Sequence, residues 1–337
     1  MSKAAIVLGI NGMDGRTLTH ILLDKGYAVV GTYRRNTVDL EGIRSLYPEG
    51  SPLLFEYCNI DDFESVKDLL TKHREVQELY LLAAQSHVGF SFKSAASTVL
   101  TDGMGVFNIL ENVKNLCPTA RTYFAATSEL FGGQRNEVYN EESLFDCKSP
   151  YSIGKELGTR WVRYYRDLGL FCCYGILFNH SNIYRSKDFF IRRVTNSAAR
   201  IALGLDKTIK LGNLDFYRDE HWSDFGCEMM WKMLQNNQPK DYVVATGKTH
   251  HGEEFLDMAF DYFNLNWRQY VELDKGLLRP NEVYRLVGDS TKAQKELGWR
   301  PNRMNFVDHI ELMCAYDHDL EGGKPTLLRP DVFKLYP

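Results

Sequence analysis

The sequence predicts an α/β fold: a Rossmann-type doubly wound parallel sheet with a smaller interleaved C-terminal α/β substrate domain. Three observations predict it. The chain opens on an apolar run, Ala4 to Leu8, that ends in a glycine turn and passes into residues spaced for a helix. Strand-like apolar runs then alternate with helical periodicities through the first half, the pattern of a parallel sheet with crossover helices. At 337 residues the chain is long enough for two packed units, and no internal repeat or low-complexity linker separates them.

Composition narrows the function classes. A hydrophobic content of 44% with 25% charged residues is that of an ordinary soluble globular protein. The net charge of -4 argues against nucleic acid as a partner. Seven cysteines, an odd number, show no Cys-x-x-Cys or Cys/His ligand spacing. They read as buried reduced thiols, with no metal site. Met1-Ser2-Lys3-Ala4 leads straight into a strand, without a signal-peptide pattern, and no apolar run approaches membrane-spanning length. The expected location is the cytoplasm, with no membrane partner.

Each element of the first half has a sequence reason. After Leu8 comes Gly9-Ile10-Asn11-Gly12-Met13-Asp14-Gly15, followed by Leu18, Ile21 and Leu22 at helical spacing and a stop at Lys25-Gly26. A plain tight turn would use the same glycines. Position favours dinucleotide binding, because the loop joins the first strand to the first helix, whose free N–H groups attract a pyrophosphate. The second strand, Ala28 to Thr32, ends in Tyr33-Arg34-Arg35-Asn36. Two arginines where an NAD site carries an acid suit a 2′-phosphate, so Arg34 and Arg35 point to NADP. A third strand, Leu53 to Cys58, brings Asn59 and Ile60 toward an adenine edge, and a helix reaches His73. The fourth strand, Glu78 to Leu82, delivers the small residues Ala83, Ala84 and Ser86, with His87 read as a structural hydrogen-bonder.

A helix over about 98–114 precedes the fifth strand, Arg121 to Ala126, which delivers Thr127-Ser128-Glu129 to the same sheet edge. Such a triplet is often only a helix cap. Tyr151 and Lys155, at i and i+4, share one helix face, and the ammonium is expected to lower the phenol's pKa enough for it to act as a base. Tyr-x-x-x-Lys alone is weak; arrival of a carboxyl at the same edge turns the set into a candidate for acid–base chemistry on a sugar hydroxyl. Further on, the sequence predicts a strand Leu170 to Phe178, a helix Asp224 to Leu234, a strand Asp241 to Ala245, and helices Gly252 to Phe263, Ser290 to Leu297 and Asn305 to Cys314.

Gly9 to Gly15, Arg34-Arg35, Ala83 to Phe92, Thr127 to Gly132, Ser149-Pro150-Tyr151 with Lys155, Gly175 to His180, Gly212 to Asp215 and Arg279 to Val283 together resemble the GDP-mannose 4,6-dehydratase family of extended short-chain dehydrogenases/reductases. The likeness covers nearly the whole chain. It implies a tightly bound NADP in contact with Gly9, Asn11, Gly12, Met13, Asp14, Gly15, Arg34, Arg35, Asn59, Ile60, Leu82, Ala83, Ala84, Ser86, Tyr151, Lys155, His180 and Arg185. It implies a GDP-sugar held by Ser86, Thr127, Ser128, Asn179, Arg192, Asn213, Arg218, Arg279 and Glu282. Tyr151 would take the 4-hydroxyl proton while hydride passes to the nicotinamide, with Thr127 holding the oxygen. Glu129 would take the C5 proton and assist departure of water from C6, and the hydride would return to C6.

That carboxyl separates a dehydratase from the alternative, a nucleotide-sugar C4 epimerase or 4-dehydrogenase. The resemblance also implies a homodimer or homotetramer joined through the helices near 98–114 and 151–167. The expected domains are 1–178 with a return segment about 225–246, and 179–224 with 247–337. Three features depart from the family: Tyr184 stands where it has an arginine, the stretch between Asp215 and His221 is one residue shorter, and the loop Val38 to Gly42 is acidic.

Overall fold

A computed structural model describes residues 3–34, 38–133, 137–322 and 330–336. Seven parallel strands, β1 (Ala4–Leu8), β2 (Ala28–Tyr33), β3 (Leu53–Tyr57), β4 (Glu78–Leu81), β5 (Arg121–Thr127), β6 (Cys172–Leu177) and β7 (Tyr242–Val244), form the main sheet. Their order is β7-β6-β5-β4-β1-β2-β3, so the chain winds outward from β1 to one edge and then from β4 to the other. β1, β4 and β6 are near-continuous apolar runs because helices cover both faces of the sheet. Helices Met13–Asp24 and Ser223–Gln235 bury Leu18, Leu22, Met230 and Met233 on one face. Helix Phe63–Lys72, the helical run 95–116 and helix Pro150–Asp167 bury Val66, Leu69, Ile109 and Val162 on the other.

The run predicted over 98–114 is longer and not uniform: Ala95–Val99 and Gly105–Leu116 are α-helical, and Leu100–Met104 between them widens into a π-type turn. Asp102 in that turn is buried, and its Oδ1 accepts the Gln85 N–H at 2.7 Å. Glycine lets the next helix close on it, since a Cβ at Gly154 would stand 3.0 Å from the Asp102 Cβ. A capping box between Ser149 and Ser152, with Pro150 at the first helical position, fixes where that helix starts and so where Tyr151 points.

Past Phe178 the chain builds a second layer from short pieces. Asn179–Ser181 pairs with Glu220–Trp222, Ile209–Leu211 with Val271–Leu273, and Tyr217–Arg218 with both His250–His251 and Arg285–Leu286. Helix Phe190–Ala202, absent from the sequence expectation although Ile191, Val194, Ala198 and Ile201 recur at helical spacing, packs on helix Phe306–Glu321. The latter continues seven residues beyond the expected end at Cys314, because Asp317 is buried against the first. Residues 223–244 return to the main sheet.

Candidate active site

The loop after β1 is shaped by what it excludes. Gly9 has φ +94°, and a Cβ there would lie 2.9 Å from the Ala83 nitrogen; a Cβ on Gly15 would lie 2.2 Å from the Gly9 carbonyl oxygen. Any side chain at either position collides with backbone, so the first helix starts hard against the sheet with its N-terminus open. A cavity runs from this loop along Asn11, Gly12, Thr32, Arg34, Cys58, Ile60, Leu82, Ala83, Ala84 and Ser86. The glycine cradle fits a dinucleotide's pyrophosphate. Arg34 reaches Asp61 at 3.1 Å from the cavity edge; Arg35 lies outside the described residues. Asn59 corrects an expectation: its side-chain oxygen accepts the Asp61 N–H within its own turn, and its neighbours Cys58 and Ile60 line the cavity instead.

A second cavity adjoins the first and holds the reactive side chains. Thr127 ends β5, and its Oγ1 accepts the Glu129 N–H at 3.3 Å, opening the turn Ser128–Phe131. The cap and the site are therefore the same residues. Thr127, Ser128, Glu129, Tyr151 and Lys155 line this cavity with Gly9, Gly12, Met13, Asp14 and Gly15. Lys155 donates to the Ala125 carbonyl at 2.8 Å and sits 5.9 Å from the centre of the Tyr151 ring. Burial holds the Tyr151 phenol above its ordinary value and Asp102 adds to this, while a hydrogen bond with Thr127 works the other way. The expected depression of the phenol by Lys155 is thus absent in the protein alone; desolvation wins. Burial also lowers Lys155, against the pull of Asp102. Asp102 itself is pushed up to about 6 by burial, against Lys155, and its Oδ2 has no partner.

Asn179 and His180 follow β6 into the cavity wall. His180 bonds the Phe178 carbonyl at 2.8 Å and the Asp14 carboxylate at 3.0 Å. Burial works against both charges, yet the pair outweighs it: Asp14 falls to about 2 and His180 is raised. Asp14 also accepts from the Ser223 hydroxyl at 2.9 Å, so both carboxylate oxygens brace the loop against the second layer. Arg185 lies half-buried between the catalytic cavity and a third one beyond it, its guanidinium stacked 3.7 Å over the Phe189 ring, and its buried Nε has no hydrogen-bond partner. An unsatisfied buried guanidinium nitrogen facing a cleft fits an anionic ligand.

Arg218 and Arg279 also line both cavities, while Asn213 and Glu282 line the outer one. Arg218 donates to the Tyr217 and Tyr284 carbonyls, and burial brings it down to about 10 against the pull of Glu129. Arg192 is a correction. Its guanidinium pairs with Asp317 at 2.7 Å inside the protein and donates to the Arg185 carbonyl, so it ties helices together rather than meeting a ligand. Its neighbour Arg193 lines the outer cavity, as do His87 and Phe189, none of which the sequence singled out as ligands. Tyr184 packs beside His20 and Arg16 on the first helix. Among the described residues no cluster of His, Cys, Asp or Glu could hold a metal, and no helix is long and apolar enough to cross a membrane.

A parallel sheet with strand order 3-2-1-4-5-6-7, a glycine loop after β1, and Tyr151/Lys155 beside Thr127 at the same edge define an extended short-chain dehydrogenase/reductase. A family model for GDP-mannose 4,6 dehydratase matches residues 6–313. GDP-mannose 4,6 dehydratase 2 of Arabidopsis thaliana is 38% identical over 334 residues, covering 96% of this chain and 88% of that protein. The human GDP-mannose 4,6 dehydratase is 35% identical, covering 96% and 94%. The chain belongs to the GDP-mannose 4,6-dehydratase family, whose members are nucleotide-sugar hydro-lyases. Among solved structures, a dTDP-glucose 4,6-dehydratase from Streptomyces venezuelae shares the fold with a TM-score of 0.83 at 21% identity, over 95% of this chain and 98% of that one.

Proposed function

We propose that this nucleotide-sugar 4,6-dehydratase acts on a GDP-hexose, GDP-mannose in the first place, with NADP as its resident cofactor. The observation that carries the proposal is the buried carboxyl of Glu129 on one cavity wall with Thr127, Tyr151 and Lys155, under the glycine loop. A nicotinamide, when bound, supplies reversible hydride acceptance from the sugar. Tyr151 exchanges the proton of the 4-hydroxyl, and Thr127, hydrogen-bonded to the phenol, holds the same oxygen. Lys155, anchored on the Ala125 carbonyl, keeps a positive charge within reach of that exchange. A 4-keto group acidifies the C5 hydrogen; Glu129 removes it and passes the proton to the 6-hydroxyl, which leaves as water, and the resulting 5,6-ene takes the hydride back at C6 and a solvent-derived proton at C5 by way of Glu129. An epimerase or simple 4-dehydrogenase has no use for a carboxyl at that place.

Arg34 at the end of β2, with no acid beside it on the strand, supports NADP over NAD. Arg185, Arg218 and Arg279 converge on the passage between the inner and outer cavities, where they suit a diphosphate. The remaining contacts, Ser86, Ser128 and Asn179 inside and Asn213 and Glu282 outside, complete the proposed sugar-nucleotide site. We divide the chain functionally into a cofactor part, 1–178 with about 225–246, and a substrate part comprising the remainder. Exposed Leu100, Ile153 and Tyr164, half open to solvent on helices 95–116 and 150–167, support a homodimer through that face. The deciding experiment incubates the protein with GDP-, dTDP-, CDP- and UDP-sugars and reads products by mass. GDP-mannose is expected to lose one water; no such loss from any GDP-hexose rejects the assignment.

A further inference from the structure

The strands Asn179–Ser181 and Glu220–Trp222 run parallel, with Glu220 beside Asn179 and His221 beside His180. Strand alternation sorts their side chains. His180 and His221 stack at 5.2 Å, and His180 reaches Asp14. Glu220 instead lines the outer cavity with Asn179, Ser181, Arg185 and Arg218. It is only 7% exposed, and its Oε1 has no hydrogen-bond partner, while the Ser181 hydroxyl bonds the carboxyl. A buried carboxylate oxygen left without a donor costs on the order of 1–3 kcal/mol or more. No catalytic role above uses this group, and among the described residues no donor reaches that oxygen. Asn179, the partner of Glu220 across the strand pair, and Arg218 line both cavities, so Glu220 stands near the passage into the catalytic cavity.

We propose that Glu220 is a specificity-determining residue: its free carboxylate oxygen accepts a hydrogen bond from a hydroxyl of the substrate's sugar ring. The proposal rests on the nucleotide-sugar activity given above. Phosphate oxygens of a diphosphate ester have no proton to donate near neutral pH, whereas a hexose presents several hydroxyls. Ribose hydroxyls have an acceptor of their own in Glu282 on the outer cavity wall. A site that leaves this oxygen unpaired when the hydroxyl is missing or inverted discriminates among sugars by that penalty. The groups facing Glu220 are Arg185, His180, Arg218 and Asp219. Burial pushes its carboxyl up to about 7, with Ser181, Arg185 and His180 working against that and Asp219 with it. The charged acceptor is therefore complete only above about that pH.

Calorimetric titration of the full chain with GDP-mannose and with GDP isolates the sugar's share of binding. In Glu220→Ala the ratio of the two affinities is expected to fall about 10- to 100-fold, with GDP affinity changed less than about threefold. The wild-type ratio is expected to rise as pH passes upward through about 7, and to stay flat in Glu220→Gln. An unchanged ratio in Glu220→Ala overturns the proposal, as does an equal loss for both ligands, which would place the contact on the nucleotide: phosphate, ribose or the guanine N–H groups. A lower melting temperature with both affinities intact also overturns it, making Glu220 an internal brace. Failure of the wild type to dehydrate GDP-mannose would strike the substrate assignment alone, because the binding ratio is read without turnover.

Discussion

Replacing Arg192 by Met separates a structural cation from a ligand-binding one. The Arg192 side chain is 5% exposed and that of Asp317 is wholly buried, and the two pair at 2.7 Å between helices Phe190–Ala202 and Phe306–Glu321. Asp317 also accepts from Thr195 at 2.7 Å and Asn196 at 3.2 Å. Removing only the arginine strands a buried carboxylate with two neutral donors, a loss of about 3–5 kcal/mol. For a chain of 337 residues, an unfolding entropy of about 2 cal/mol/K per residue converts that to a melting temperature lower by roughly 4–7 °C. The double change Arg192→Met with Asp317→Leu removes the stranded charge and is expected to recover at least about half of the loss. Thermal melting followed by circular dichroism, with kcat and KM for GDP-mannose measured well below the transition, checks both parts. KM is expected to stay within about threefold. A melting temperature within about 1 °C of wild type together with a KM raised more than about tenfold would refute the reasoning and return Arg192 to the substrate site.

Four further outcomes are expected. Glu129→Gln, which keeps shape but loses the proton carrier, lowers kcat by about 10³-fold or more and abolishes solvent-deuterium incorporation at C5, read by mass spectrometry. Gly15→Ala drives a Cβ into the Gly9 carbonyl, where 2.2 Å is available, so the purified protein carries no nicotinamide by absorbance. The Asp14–His180 pair confers a pH window. Asp14, depressed to about 2 from 3.8, stabilises fully above about 4 and loses this as pH falls through 2; His180, raised above 6.5, contributes fully below that value and loses it as pH rises through its folded pKa. Melting temperature against pH should show both limbs in wild type and neither in Asp14→Asn. Light scattering is expected to give a dimer for the wild type, as proposed, and a monomer for Ile153→Lys with Leu100→Glu, placed on the exposed helix face.

The first sheet was legible because each of its strands is a short apolar run bounded by glycine or by the first polar residue of a loop. Gly9 and Gly15 could be read as backbone contacts, and Thr127, Glu129, Tyr151 and Lys155 converge as expected, since strand ends and helix starts fix them locally. The second layer was far less legible. Its strands are two or three residues long, such as Tyr217–Arg218, and no periodicity can register at that length. Arg192 and Arg193 look alike in sequence, yet one is held by Asp317, more than a hundred positions away, and the other faces the cavity. The Tyr151 phenol was misjudged for a related reason: spacing shows the lysine one turn away but not how completely both groups lose water.

The late return of residues 223–244 has a consequence for biosynthesis. While the chain is being made, the sheet stands open along Cys172–Leu177 until about sixty-five further residues have left the ribosome and Tyr242–Val244 can dock there. An open apolar edge of that kind is sticky. Ribosome stalling or premature termination anywhere between these two strands would therefore release a fragment with its glycine loop already formed but its border unsealed, a natural client for chaperones and a poor candidate for independent expression.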